Sequence, residues 1–538
     1  MLFNSYAFIF AFLPFVLAGY AAIGRWSGHR SVSLWWLVLC SVVFYAIWNP
    51  VNLVIIGPSV AANFMLARLI ERRLTVGGSE DRWASVLLVA GVILNMCFLG
   101  YFKYRNFFLD SVNHVFATDW PMIQILLPLG ISFITFQKIA FLVDVRMGAI
   151  RNYTLLDFLI FVVFFPQLIA GPIVHYREMV PQFHAGSGRL EARDLCVGLS
   201  LFALGLFKKA VLADGIAPYA STVFAAAERG DPIGLVSAWL AAAAFTLQVY
   251  FDFSGYSDMA IGLGRMFGVR LPVNFDSPLK ASSIVDFWNR WHMTLTRFLT
   301  AYVYAPISLA LTRRRMASGK PMISRKRASV PAFAVLVAVP TVVTMFASGL
   351  WHGAGITYVL FGLLHGFYLV VNQAWRQWHP RWPRDTYDRA MKPLGLVLTL
   401  LCVFFAMGLF KASTLRGGLT MQGAMLGFDG VALPQALLTR LGGLGQWLQS
   451  AGVTGDFTSG SELLLRCLWV AALLLAATVL PNSLETMARF EPALGMKAVA
   501  PARWQATLAP GWAAGFALLM LGGLLSLNRI SEFLYWQF

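Results

Sequence analysis

The stretch VPAFAVLVAVPTVVTMFASGLWHGAGITYVLFGLLHGFYLVVNQAW runs from Val330 to Trp375. It contains two apolar runs, Val330–Ser348 and Ile356–Trp375, each long enough to cross the hydrocarbon core of a bilayer as a helix. A short glycine-rich turn joins them, and His352 stands in that turn between Trp351 and Gly353. Two spans that turn so tightly predict a membrane hairpin with a polar group at its apex.

The rest of the chain agrees. Of 538 residues, 58% are hydrophobic and only 12% charged, more apolar surface than a soluble protein of this length can bury. The net charge of +17 is read as cytoplasmic loops rich in Lys and Arg, because no basic stretch interleaved with stacking aromatics points to nucleic acid. Cys40, Cys97, Cys196, Cys402 and Cys467 form no CxxC pair, so neither a disulfide framework nor a zinc site is expected. The N-terminus lacks a basic n-region and a small-residue cleavage site, so Leu2–Tyr20 is expected to remain as a membrane segment.

Further apolar runs are Val32–Trp48, Val51–Ile70, Ala84–Phe102, Tyr153–Ile173, Leu195–Leu212 and Ile233–Phe251. Leu394–Phe410, Leu463–Leu480 and Trp512–Leu527 complete the set. The reading is an all-α polytopic protein, 1–538 as one membrane domain, with about 11–13 spanning helices. Ile123–Val145 and Ile284–Leu311 are apolar but interrupted by Pro, Arg, His and Asp, which predicts re-entrant or interfacial helices buried in protein.

Loop charge predicts the orientation. The acid-free group Arg313, Arg314, Arg315, Lys320, Arg325, Lys326 and Arg327 is expected in the cytoplasm. So are Arg68, Arg72, Arg73 and Arg82, and Arg376, Arg381, Arg384 and Arg389. The long, Gly-rich, sparsely charged loop Ala412–Ser461 is expected outside, which places both termini outside as well.

Polar residues inside apolar surroundings are costly, so they mark candidate chemistry. The first group is SGLWHGAG, Ser348–Gly355, with His365 further on. The glycines allow close approach of backbone or substrate, and a neutral imidazole at His352 can take a proton from an attacking hydroxyl. A histidine simply hydrogen-bonded within a helix bundle accounts for the same pattern. His352 and His365 do not have one-face metal-ligand spacing, and no metal is required.

The second group is VDFWNRWHMTLTRFL, Val285–Leu299, which reads either as an amphipathic surface helix or as one lining a polar passage. On one continuous helix Asp286, Asn289 and Arg290 share a face, while His292 and Arg297 can look into the passage. The third is Gln248–Val269, with Asp252, Ser254, Tyr256 and Asp258 among glycines. It suits a structural hydrogen-bond network, or ion handling in a transporter. Asn113, His114 and Asp119 spell N-H-x-x-x-x-D, an acyltransferase charge-relay pattern, in a short connector expected outside; coincidence explains it. No nucleophile elbow, P-loop or H-E-x-x-H motif occurs.

Long ordered strings resemble the membrane-bound O-acyltransferase family, in its branch of bacterial alginate-type polysaccharide O-acetyltransferases. They include FYAIWNP (Phe44–Pro50), PLGISFITFQKIAFLVDV (Pro128–Val145) and FFPQLIAGPIVHYREMVPQ (Phe164–Gln182). FDFSGYSDMAIGLGRMFG, PVNFDSPLKASSIVDFWNRWHMTLTRFL and SGLWHGA continue the match. The D-alanyl transferase of teichoic-acid modification is a shorter cousin. The resemblance implies a ring of helices around a central funnel, His352 as the essential histidine, and His292 as a second histidine lining the reaction tunnel. It makes Asp286, Asn289, Arg297, Trp351 and His365 tunnel-lining candidates, although the family often has Arg where Asn289 stands. The ending Phe533-Leu534-Tyr535-Trp536-Gln537-Phe538 resembles the tail of the companion peptide in the D-alanylation branch, so Tyr535 is a possible acyl relay. An interfacial aromatic anchor is the alternative.

The expected function is transfer of an acetyl group from a cytosolic donor, acetyl-CoA, across a bacterial inner membrane. The acceptor is a polysaccharide hydroxyl or a periplasmic acetyltransferase partner, and no bound cofactor is involved. The alternative is a membrane conduit or a scaffold subunit of an exopolysaccharide-acetylation complex.

Overall fold

A computed structural model describes residues 1–27, 29–186, 188–323, 329–379, 383–456, 459–496, 501–507 and 509–528. Ten helices among these are long and apolar enough to cross a membrane, and Pro510–Leu525 is a shorter apolar helix. They begin with Phe8–Trp26 and Arg30–Trp48 and end with Gly460–Val479. The all-α polytopic reading therefore holds. Arg325, Lys326, Arg327, Arg381 and Tyr535 lie outside the described residues.

The chain divides into two compact units. The first is built from Met1–Ala210, Ser254–Asn274 and the segment that starts at Ser483; the second is built from Val211–Phe253 and Phe275–Asn482.

In the first unit, α1 (Val51–Gly77), α2 (Arg82–Leu99) and α3 (Ile131–Arg146) pack on one another. Their shared interior is polar at several points. Asn63 and Asn95 exchange side-chain hydrogen bonds of 3.3 and 2.7 Å. Lys138, fully buried, donates to the Ser59 hydroxyl and lies 5.2 Å over the Phe98 ring. A polar group in such surroundings is tolerated when a neighbouring helix supplies its partner.

The same unit contains α4 (Ala192–Phe207) and the last part of α5 (Leu235–Met266). These pair antiparallel at two glycine contacts. A Cβ on Gly198 or on Gly262 would stand 2.5 Å from the other's carbonyl oxygen, and one on Gly255 would stand 2.7 Å from that of Gly205. The Asp194–Arg265 ion pair, 2.6 Å, closes one end of this crossing. Asp258 accepts from Lys208 Nζ at 2.7 Å and from Ser483 Oγ at 2.6 Å. The glycines of this stretch are thus packing surfaces and Asp258 a helix tie, in line with a structural network.

Three expectations need correction. Tyr153–Ile173 is not one span. It forms Leu155–Val163 and Phe165–Leu168, because Phe164 turns extended before Pro166, which cannot continue a helix's hydrogen bonding. Only the second part of Ile123–Val145 is helical, as α3. The segment Ala412–Ser461 is not a plain loop. It contains the helix Leu415–Met425, a two-stranded parallel sheet of β1 (Ala432–Pro434) and β2 (Thr454–Asp456), and the short helices Gln435–Arg440 and Gly443–Ser450 between the strands.

Replacing Gly262 by Val should push α4 and α5 apart and lower stability by about 1–3 kcal/mol, the usual cost of overpacking. At Gly57, in α1, an added Cβ would meet nothing within 4 Å, so Gly57→Ala should leave stability unchanged or raise it by about 0.5–1 kcal/mol. Thermal melting of the two variants in detergent, followed by size-exclusion, checks both.

Candidate active site

In the second unit, α6 (Ile284–Arg290), α7 (Met293–Leu299), α8 (Val339–His352) and α9 (Ile356–Trp378) surround the two histidines singled out by sequence. Helices α8 and α9 form the expected hairpin. They touch where a Cβ on Gly349 would lie 3.1 Å from the Gly362 Cα, so only glycine fits at this crossing. At the apex, Gly353 abuts the Tyr358 ring, which occupies the space a side chain would need. Gly353 and Gly355 have φ of −172° and −161°, extended values open to any residue. The demand for glycine at Gly353 is therefore one of space.

His352 ends α8 and is 3% exposed. Its ring is walled by aromatics: Trp351 at 5.0 Å between centroids, Phe410 at 5.1 Å and Phe361 at 6.1 Å. Trp351 also faces His292, at 5.4 Å, so one indole stands between the two imidazoles. On the far side of Phe361, at 4.6 Å, lies His365, fully buried, whose Nδ1 accepts from the Trp288 indole at 3.3 Å. The three histidines are thus joined through Trp351 and Phe361.

His292 reaches this place through a break that local sequence pattern does not reveal. The pattern predicts one continuous helix from Ile284 onward. Instead α6 stops at Arg290, Trp291 turns extended, and His292 adopts φ 43° and ψ 52° before α7 begins. The left-handed region costs a β-carbon residue roughly 1–2 kcal/mol. His292 is held there by burial, with its ring 4.7 Å from Phe253 and 6.5 Å from Phe275. Its carbonyl accepts from Thr296 N at 3.0 Å, which starts the next helix.

The other candidates separate. Asp286 pairs with Arg290 one turn on, at 2.9 Å, and Arg290 also donates to the Asp276 carbonyl at 3.2 Å. This pair braces α6, so the carboxylate serves the helix that carries Trp288. Asn289 lines a cavity of about 190 Å³ together with Trp288, Thr341 and Ser348. Arg297 lies in the last turn of α7, partly buried, and is not among the residues lining that cavity. Trp351 is the shared wall described above.

Phe253, Phe361, Phe410 and Trp288 belong to the site although sequence reasoning does not single them out. Nothing in a hydrophobic run distinguishes a phenylalanine against an imidazole from one against lipid. For Trp288 a signal exists: a buried indole needs an acceptor, and His365 is the polar residue left over in the neighbouring span. The N-H-x-x-x-x-D pattern is a local clamp, in the first unit. Asn113 donates to the Trp120 carbonyl at 3.0 Å and accepts from Thr118 Oγ1 at 2.9 Å and Trp120 N at 3.0 Å.

Comparison with known proteins identifies relatives of the chain. Residues 145–319 match the membrane-bound O-acyltransferase family. The chain is 35% identical to a peptidoglycan O-acetyltransferase of Helicobacter pylori, over 80% of this chain and 81% of that protein. It is 36% identical to a probable alginate O-acetylase of Pseudomonas aeruginosa, over 82% of this chain and 78% of that protein. A teichoic acid D-alanyltransferase of Streptococcus thermophilus is more distant, 28% identical over 49% of this chain and 61% of its own length. With ten apolar helices long enough to cross a membrane among the described residues, a family match through the His292 segment and relatives that align along most of its length, the chain belongs to the membrane-bound O-acyltransferase family and is a multi-pass membrane O-acyltransferase.

Proposed function

We propose that this protein O-acetylates an extracytoplasmic polysaccharide from the bacterial inner membrane, using a cytosolic acetyl donor, acetyl-CoA. The observation that carries the reading is the pair of buried imidazoles, His352 and His292, on either side of Trp351. The relatives' names, which specify peptidoglycan and alginate O-acetylation, support an acetyl group and a glycan acceptor.

The chemistry follows from what a neutral imidazole can do. His352 takes the proton of an acceptor hydroxyl as its oxygen attacks the thioester carbon. The carbon–sulfur bond breaks, and the thiolate leaves as a thiol once His352 returns the proton. The product is an acetyl ester, with no net proton change. His292 positions the thioester, and its fixed backbone suits that task because the ring cannot swing away without breaking the start of α7. Walls of Phe and Trp exclude water, which would otherwise hydrolyse the donor. Reaction across the membrane, with both termini outside and basic loops on the donor side, removes the need to export acetyl-CoA. The ester passes to the polymer or to a periplasmic acetyltransferase partner, and Tyr535 is the candidate relay for that hand-over.

His352→Ala should abolish polymer O-acetyl esters in cells at matched membrane abundance; undiminished acetylation would leave a scaffold or conduit. His292→Asn retains a residue at ease in the left-handed region but removes the imidazole. It should cut acetylation by about 10²-fold while leaving the melting temperature near wild type. A fall in stability without loss of specific activity would make His292 purely structural. Tyr535→Phe should lower transfer to polymer without lowering thioester turnover by the purified protein, and equal polymer acetylation ends the relay assignment.

A further inference from the structure

Glu228 lies in the last turn of the helix Asp214–Arg229, a place that disfavours a carboxylate, because the carbonyl end of a helix carries partial negative charge. Its own helix therefore does not explain its position. The explanation lies in the start of another helix, Leu415–Met425. Glu228 Oε1 accepts from Ser413 N at 2.6 Å and from Thr414 N at 3.3 Å, and its Oε2 accepts from Thr414 Oγ1 at 2.6 Å. Thr414 is the residue that opens the second helix, and its hydroxyl in turn accepts from Gly417 N at 3.0 Å. One carboxylate thus takes three donors from two consecutive residues, at the helix end that favours negative charge. Gly417 makes room for it: a Cβ there would stand 2.5 Å from Glu228 Cδ.

What this carboxylate holds is close to the imidazole of His352. Only Ala412, Ser413 and Thr414 separate the end of the helix Arg384–Lys411 from Leu415. The Ala412 carbonyl accepts from Thr357 Oγ1 at 3.2 Å, and Thr357 is on α9, five residues beyond His352. The joint is therefore pinned from two sides, by Thr357 and by Glu228. Two residues before Ala412 is Phe410, whose ring lies 5.1 Å from His352, 4.8 Å from Phe361 and 5.4 Å from Tyr358. Two residues span at most about 7 Å, so a displaced joint is felt at the Phe410 ring, and a close-packed aromatic wall has little slack to absorb it.

We propose that Glu228 is a positioning residue for the acyl transfer: by seating the joint at Ser413 and Thr414 it keeps Phe410 against His352. The inference rests on His352 as the base, the reading given above, and adds a residue that touches neither donor nor acceptor in that scheme. A carboxylate that served only to cap the helix Leu415–Met425 would show itself in stability. One that positions Phe410 shows itself in the turnover rate and in the access of reagents to His352.

Two variants separate these roles. Glu228→Ala removes the carboxylate. Gly417→Ala keeps it but fills its seat, while replacing glycine by the better helix former, so capping alone predicts a neutral or stabilising change. In the full-length protein in nanodiscs, both variants are expected to lower kcat for acetyl-CoA turnover about 10- to 100-fold, with KM for the thioester within about 2-fold of wild type. Diethyl pyrocarbonate, which modifies accessible neutral imidazoles, supplies a readout independent of activity. Its reaction with His352, followed by mass spectrometry of the peptides, should quicken about 5-fold or more in both variants, while His365 keeps its wild-type rate. Glu228→Gln, which retains an acceptor oxygen and the side-chain shape, should recover at least about a third of the lost turnover. Wild-type turnover in both Ala variants overturns the proposal, as does equal quickening at His352 and His365, which marks general loosening. His352→Ala is the reference: if it is inactive while the two variants are normal, the positioning role alone falls. If His352→Ala turns over thioester at the wild-type rate, the base reading falls and takes the proposal with it. Should Glu228→Ala fail to fold, Gly417→Ala still decides, since there the carboxylate remains.

Discussion

Helices α8 and α9 approach each other at Gly349 and Gly362 more closely than any side chain would permit, and the geometry around His352 depends on that contact. His352 is one turn beyond Gly349, and His365 is one turn beyond Gly362. The backbone-to-backbone distance at the crossing therefore sets how far apart the two histidine-bearing faces lie. It also sets the gap that Phe361 fills between their rings. A larger residue at either glycine would act on the chemistry from a full turn away, by widening the slot in which the aromatic walls are fitted. Membrane helices lack a strong hydrophobic drive toward one another, so close packing of this kind is a main source of their cohesion.

A second regularity is the treatment of polar groups. In the first unit several satisfy one another: Asn63 with Asn95, Lys138 with Ser59, Asp258 with Lys208 and Ser483. In the second unit, Thr341 and Ser348 face a cavity instead of a backbone carbonyl. The contrast separates polar residues that hold helices together from hydroxyls that face a cavity. Burial alone does not make this distinction, since both sets are enclosed. The partners do.

Much of this is legible in the sequence, for definite reasons. The spans can be read because a bilayer imposes a length and an apolar composition on any helix that crosses it. The hairpin around His352 can be read because its turn is too short for any other arrangement. The position of His292 cannot, since its placement depends on a left-handed residue between two short helices, and a histidine is not a residue that advertises such a turn. Local pattern predicts one helix with His292 on its side; tertiary packing against Phe253 and Trp351 produces two helices with His292 at the joint. Phe410 is invisible for a different reason. It comes from a helix far along the chain, and only the folded arrangement reveals which of many phenylalanines meets His352. The small parallel sheet of β1 and β2 escapes because three-residue strands leave no periodicity to detect.

Lys138 has an implication for how the protein is made. A lysine near the middle of a helix is poorly suited to lipid, and α3, with only 16 residues, has little apolar length to offset it. Both groups that receive its ammonium, Ser59 and the Phe98 ring, belong to helices synthesised earlier. When α3 emerges from the ribosome, its polar socket in α1 and α2 has therefore already entered the membrane. The order of the elements along the chain lets this helix pass directly from the insertion machinery into a prepared protein surface. A circular permutant that places α3 ahead of α1 would present the same lysine to the bilayer with nothing to receive it.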